Sequence, residues 1–446
     1  MHLLCLPSDI LLDVMDVLSY CSVMRLVCKQ LYTLWHNSHV HITEDASGTP
    51  VIGSPISSAS VRWLRCTGER FQWVPQMVLC PRVLTLQING WMERWNLCKL
   101  LNAYSSSVDR LILRSTATIG PTTFSAICVH LATMLSLCTL ELRVLHAHFG
   151  DLSCRDLADA VCGMSRLSRL MLVLPMNSIT IAGLHNIISG LVKTRIRHLS
   201  LDVSGNWIRG TEYGKELGRI SQLEQLRSLQ LTFGGWGVRK QFGLEHLSTM
   251  SSMPALQDLS LTIVGARITC EFFKKAMMGI AIMPRLTCFH LDLSACEVGE
   301  QCHRGLALLR LAKRLEQISL CLSHPTERLL SAMGFIHFAP ELKRIILVID
   351  HRSHVFTEKH ALEMSRCDSM RCSVTVRVQN AKITNTNAVM QRLMEGFTST
   401  PEVEVCFSDC ILSVPKGVTD LHAPWCLEHI KEGSYMMKKS ASKTWW

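Results

Sequence analysis

The chain is short of the patterns that enzyme chemistry needs. It holds no G-x-S-x-G, no phosphate-binding loop and no H-E-x-x-H. Gly234-Gly235-Trp236-Gly237 is the richest glycine cluster, and it lacks the lysine a nucleotide cradle requires. The expectation is therefore a chain that is no enzyme and carries no cofactor. None of its 20 Cys forms a C-x-x-C pair, and its 19 His are scattered, so no metal is expected; His146/His148 and His351/His354 read as bland surface pairs. No apolar run approaches the ~18 residues of a membrane span. The first residues, MHLLCLPSDILLDVMDV, have no basic leader and are interrupted by three Asp. There is no N-x-S/T sequon. These absences argue against membrane insertion and secretion, and for a cytoplasmic or nuclear chain whose cysteines are buried free thiols. Charged residues make up only 18% of the sequence, and the net charge of +10 comes with no dense basic run, which argues against a nucleic-acid partner.

What is present is a period. In Ile196–Ile208, IRHLSLDVSGNWI, the apolar Leu199, Leu201 and Val203 alternate with polar residues, as on one face of a short strand. The first position of that pattern recurs at Leu84, Leu111, Leu140, Leu170, Leu199, Leu229, Leu259, Phe289, Ile318, Ile345, Val374 and Val403, in steps of 27 to 30 residues. After the strand comes helical spacing: Leu157, Ala160, Val161, Met164; Leu184, Ile187, Ile188, Leu191; Phe273, Ala276, Met277, Ile280. One helix per repeat is expected. Helices are wider (~10 Å) than the strand spacing (~4.8 Å), so such an array should curve with its strands inside.

This pattern resembles the leucine-rich repeat, in its long, ribonuclease-inhibitor-like form. The resemblance implies an α/β solenoid, a horseshoe, over residues 61–412, with Val61-x-x-Leu64-x-Cys66 as an atypical first strand. It also implies a turn slot seven residues after the first Leu. That slot holds Asn177, Asn206, Cys296 and Cys410, with Ala147, Ala266 and Ala381 elsewhere. An amide there has both a donor and an acceptor for backbone groups freed at the strand end, whereas Ala has neither.

Residues 1–45 read as a small helical module. Leu11, Val14, Met15 and Leu18 share one face, and Val23, Val27, Leu31 and Leu34 form a second amphipathic segment. Leu6-Pro7-x-Asp9-Ile10-Leu11 followed by Val27-Cys28-Lys29 resembles an F-box. In that family such a module docks on a Skp-type linker protein hanging from a cullin scaffold, and the resemblance assigns that contact to Leu6, Pro7, Ile10, Leu11, Val27, Cys28 and Lys29. The alternative is a helical cap that seals the end of the solenoid. Residues 46–60 are Ser/Gly/Pro-rich and read as a linker; residues 413–446 read as a cap and a disordered tail.

The remaining feature is a surface. Between the core positions of each strand lie Ser200 and Asp202, Gln230 and Thr232, His290 and Asp292, then an apolar patch of Cys321, Ile346 and Val348. These residues are expected on the concave face, facing a protein target. Glu141 and Arg143 occupy the same positions earlier in the chain. The tail, with Tyr435, Met436, Met437, Trp445 and Trp446, is expected either to be free or to fold back onto the apolar patch. The F-box resemblance implies a substrate-recognition subunit of a cullin-type ubiquitin ligase. The rival readings are a binding scaffold or an enzyme regulator unrelated to ubiquitin.

Overall fold

The structure is a computed structural model. It describes residues 82–412, apart from 89–97, 99–100, 103, 116–118, 146–148, 209, 236–243, 324, 333–335, 337, 351–354, 366–371, 384–385, 398–399, 401 and 409, together with the strand backbones at 39–44, 50–52, 63–68, 425–431 and 434–439. The chain divides into two units, Met1–Asn177 and Ser178–Trp446. Both are α/β, built from parallel strands alternating with helices.

In the first unit, β1 (His39–Glu44) pairs antiparallel with β2 (Pro50–Ile52) and parallel with β3 (Trp63–Gly68). The parallel ladder continues through β4 (Val83–Ile88), β5 (Arg110–Ser115), β6 (Thr139–Val144) and β7 (Arg169–Val173). Leu64, Leu84, Leu111, Leu140 and Leu170 stand opposite one another across it. Helices α1 (Pro121–Thr133) and α2 (Gly150–Gly163) follow β5 and β6. Phe124 of α1 packs on Phe149, just ahead of α2, with ring centroids 4.1 Å apart.

The second unit repeats the plan after α3 (Ile181–Leu191): β8 (His198–Asp202), α4 (Gly210–Gly218), β9 (Ser228–Gly234), β10 (Asp258–Ile268), α5 (Cys270–Ala281), β11 (Cys288–Val298), β12 (Gln317–Ser323) and β13 (Arg344–Asp350). Beyond β14 (Val355–Phe356), the main ladder resumes with β15 (Ser373–Gln379) and, past β16 (Lys382–Ile383), with β17 (Val403–Ser408). Leu199, Leu229, Leu259, Phe289, Ile318, Ile345, Val374 and Val403 are in register. The 27-to-30-residue period is thus the length of one strand plus one return. A second, three-strand parallel ladder joins β14, β16 and β18 (Ile411–Leu412).

The core lies between sheet and helices. Leu199 and Leu201 are buried while Ser200 and Asp202, which alternate with them, are half-exposed, and the same alternation holds along β12. Leu157, Ala160, Val161, Leu184, Ile187, Ile188, Phe273, Ala276, Met277 and Ile280 are all buried, as their spacing requires. The turn slot also behaves as expected. Asn177 is fully buried and its Nδ2 donates to the Val144 carbonyl at 2.7 Å. Asn206 Oδ1 accepts from the Ile179 amide at 3.0 Å, and its Nδ2 donates to the Val203 carbonyl at 3.0 Å. The weaker thiol donors stand in at Cys296, 3.1 Å from the Ile263 carbonyl, and at Cys410, 3.4 Å from that of Val378. At Ala266 the problem is met differently: β10 and β11 run on through two register shifts, so that Arg267 and Ile268 pair with Glu297 and Val298.

Several expectations need correction. Among the described residues the return between β9 and β10 is a 3-10 helix, Leu244–Ser252, instead of an α-helix. There the Thr249 hydroxyl donates to the His246 carbonyl at 2.6 Å and that of Ser252 to the Thr249 carbonyl at 2.8 Å. Gly279 of α5 lies over this segment, and a Cβ there would collide with the Ser248 backbone. The 46–60 stretch is not wholly linker, because Pro50–Ile52 pairs with β1; and the last residues of the 1–45 segment are strand, not helix. Nor is the tail free as far as Lys439: β19 (Trp425–Lys431) and β20 (Ser434–Lys439) form a hairpin, with β20 antiparallel on β17. It takes up the open edge of β17 instead of reaching Cys321, Ile346 and Val348. An unpaired edge offers a full row of backbone donors and acceptors, which a hairpin satisfies. Trp445 and Trp446 lie outside the described residues.

Candidate interaction face

Period-two alternation puts every second strand residue on the face away from the helices. In the second unit that face carries two rows of the expected residues. Ser200, Gln230, Ser260, His290, Ser319 and Ile346 form one; Asp202, Thr232, Thr262, Asp292, Cys321 and Val348 form the other. Gln230 is exposed and the rest are half-buried. All nine residues assigned to the target face therefore lie on one surface.

A third row went unrecognised in the sequence: Ser228, Asp258, Cys288 and Gln317, one residue before the first apolar position. Alternation alone would have found it, since residues two apart share a face. With Gln230, Ser260, His290, Ser319 and Ile346 it lines an open groove of about 360 Å³. The groove is polar at its β9 and β10 side and apolar at Ile346, a mixture suited to a side chain with both an aliphatic stem and a polar head.

The electrostatics favour neutral groups at His290 in the groove and at Cys321 on the same sheet face. Burial lowers the His290 pKa below the ordinary imidazole range, with Asp292 acting in the opposite sense. Burial pushes the Cys321 thiol up to about 12, and the neighbouring Asp292 carboxylate adds to this. Both residues are thus uncharged near neutral pH. Asp202 and Asp292 have a structural duty besides facing the groove side. Asp202 Oδ1 accepts from the Ser204 amide at 3.0 Å and its hydroxyl at 2.7 Å, and Asp292 Oδ1 from the Ser294 amide at 2.9 Å. Each closes the turn where its strand ends. Ser200 donates to Gln230 Oε1 at 3.2 Å, which orients the exposed amide.

In the first unit the corresponding positions of β5 and β6 hold a charge cluster. Glu141, only 9% exposed, receives Arg114 Nη2 at 2.9 Å and Arg143 Nε at 2.7 Å on the same oxygen. Two cations sharing one carboxylate leave an excess of positive charge there.

Leu6, Pro7, Ile10, Leu11, Val27, Cys28 and Lys29 lie outside the described residues, as do His146/His148 and His351/His354. Among the described residues no group of three or more His, Cys, Asp or Glu is placed to hold a metal ion, and no helix is long and apolar enough to cross a membrane. No family model matches the sequence, and no curated protein is significantly similar to it.

Proposed function

We propose that the chain is a leucine-rich repeat protein that binds a protein target on the open sheet face of its second unit, and that an F-box-like N-terminal segment couples it to a Skp-type linker protein and cullin scaffold. In this reading it is the substrate-recognition subunit of a ubiquitin ligase. It performs no transfer chemistry, but raises the effective concentration of its target near the conjugating enzyme. One observation carries the binding half: eight strands hold a common register, so that Gln230, His290 and Ile346 line one groove. Half-exposed apolar groups at Ile346 and Val348 on a solvent-facing sheet support a contact surface more than an idle one. The coupling half rests on Leu6-Pro7-x-Asp9-Ile10-Leu11 and Val27-Cys28-Lys29.

Affinity purification of the intact chain tests the proposal, with linker protein and cullin expected in the eluate. Leu6→Ala with Pro7→Ala should abolish that capture, since each buried anchor is worth about 1.5–3 kcal/mol and binding energy concentrates in few of them. Unchanged capture by a variant whose circular dichroism is native would dispose of the F-box assignment and leave a binding scaffold.

A further inference from the structure

Cys270 and Cys302 are one repeat apart in sequence, yet their sulfurs lie 3.6 Å from each other. Cys270 opens α5, and Cys302 closes the short turn Glu300–Cys302 in the next repeat. The two differ in access: Cys270 is half-exposed and Cys302 is fully buried. Gly299 flanks both. A Cβ at that position would stand 3.2 Å from Cys270 Sγ and 4.0 Å from Cys302 Sγ, so the glycine leaves the sulfurs their space. The turn is tied down around them. The Cys302 amide donates to the Gly299 carbonyl at 3.0 Å, and the Gly299 amide to that of Ile268, beside Cys270, at 3.5 Å.

We propose that Cys270 and Cys302 form an oxidisable dithiol that a hydroperoxide converts to a disulfide, with Cys270 the sulfur attacked and Cys302 the resolving thiol. A disulfide needs the sulfurs at about 2.05 Å, so they must close by about 1.5 Å, within reach of side-chain rotation. The thiolate of Cys270 attacks one peroxide oxygen, the O–O bond breaks, and Cys270 becomes a sulfenic acid as hydroxide leaves. The Cys302 sulfur then attacks Cys270 Sγ; the S–O bond breaks, the S–S bond forms, and the departing hydroxide takes the Cys302 proton as water. Two thiols lose two electrons and two protons, and one hydrogen peroxide becomes two waters. An external dithiol reverses the change.

The division of labour follows from the surroundings. Burial, reinforced by Cys270, raises the Cys302 thiol above the ordinary cysteine range, and its burial keeps it from the peroxide. Cys128 and Cys154 also lie near each other, but both are buried and neither offers an oxidant a way in. The cross-link joins the segments that follow β10 and β11, the strands carrying Ser260 and His290. It is independent of any role in ubiquitin transfer.

The test uses the reduced full-length chain treated with hydrogen peroxide, then alkylated, digested with trypsin and analysed by mass spectrometry. The expected product joins the peptide Ile268–Lys274 to Leu286–Arg304, about 2 Da lighter than the sum of the two thiol peptides, and dithiothreitol removes it. Fragmentation must place the bond on Cys302, because the larger peptide also holds Cys288 and Cys296. Cys270→Ser should yield no such product, and in Cys302→Ala a dimedone-trapped sulfenate should build up at Cys270. The proposal is overturned if Cys270 of the unmodified chain stays fully alkylatable while other thiols oxidise, if its sulfenate accumulates with Cys302 present, or if the cross-link survives in Cys302→Ala. Should that buried variant fail to fold, the peptide map of the unmodified chain decides alone.

Discussion

Replacing Asn206 with Ala isolates the turn amide that ties the end of β8 to the segment before α3. Asn206 is fully buried; its Oδ1 takes the Ile179 amide at 3.0 Å, and its Nδ2 serves the Val203 carbonyl at 3.0 Å and that of Ser204 at 3.4 Å. These losses differ in weight. The Val203 carbonyl keeps the Tyr213 hydroxyl at 3.1 Å, so it is not orphaned. The Ile179 N–H is a buried donor that loses the amide oxygen, at about 1–3 kcal/mol. The small cavity left by the amide adds about 1 kcal/mol. The total is about 2–4 kcal/mol, or a fall in melting temperature of about 4–12 °C for a unit of this size. Thermal and urea unfolding followed by circular dichroism measure it, with Gln225→Ala, an exposed turn position, as the control expected to stay within about 0.5 kcal/mol. Cys296→Ala should cost less than Asn206→Ala, because a thiol is a weaker donor and acceptor than the amide it replaces, as in its contact to the Ile263 carbonyl. If the Asn206 variant unfolds with the Gln225 control, the amide is not holding the turn.

Gly234→Ala should cost about 3 kcal/mol or more: its φ of +112° disfavours an L side chain, and the new Cβ would collide with the Val264 carbonyl. Gly163→Ala, near a helix end with room around it, should be neutral by the same melting assay. His360 gives a pH prediction. It is the third residue of the helix Glu358–Ser365, and its Nδ1 accepts the Thr357 amide at 3.1 Å, while burial lowers its pKa. Between that lowered value and the ordinary 6.5 the unfolded chain binds a proton that the folded chain does not, so stability falls as pH drops below about 6.5. His290 acts with the same sign. His360→Gln, which keeps a cap acceptor and cannot titrate, combined with His290→Asn, should flatten the dependence of urea midpoint on pH between about 5 and 7; an unchanged slope would exclude both histidines as its source.

Strand period alone carried most of the architecture. Leu199, Leu229 and Leu259 were placed in register from their spacing, and the buried helix faces at Leu184/Ile187/Ile188 and Phe273/Ala276/Met277 from theirs, because face and period are local properties of a chain with fixed rise and turn. Asn177 and Asn206 were legible for the same reason: the end of each strand frees the same backbone groups, and the amide must answer them. The open-face residues were legible except for the row through Ser228, Asp258, Cys288 and Gln317, which belongs to the same alternation one position before the first apolar residue of each strand. Other features required the tertiary structure. The turn at Gly299–Cys302 brings Cys302 against Cys270 because β10 and β11 run past their expected ends through two register shifts. The 3-10 form of Leu244–Ser252 left no mark in the sequence pattern, and the docking of β20 on β17 depends on an edge that exists only once the sheet has formed. Periodicity fixes which way a side chain points, while distance between sulfurs or strands depends on the lengths and bends of the returns, which obey no period.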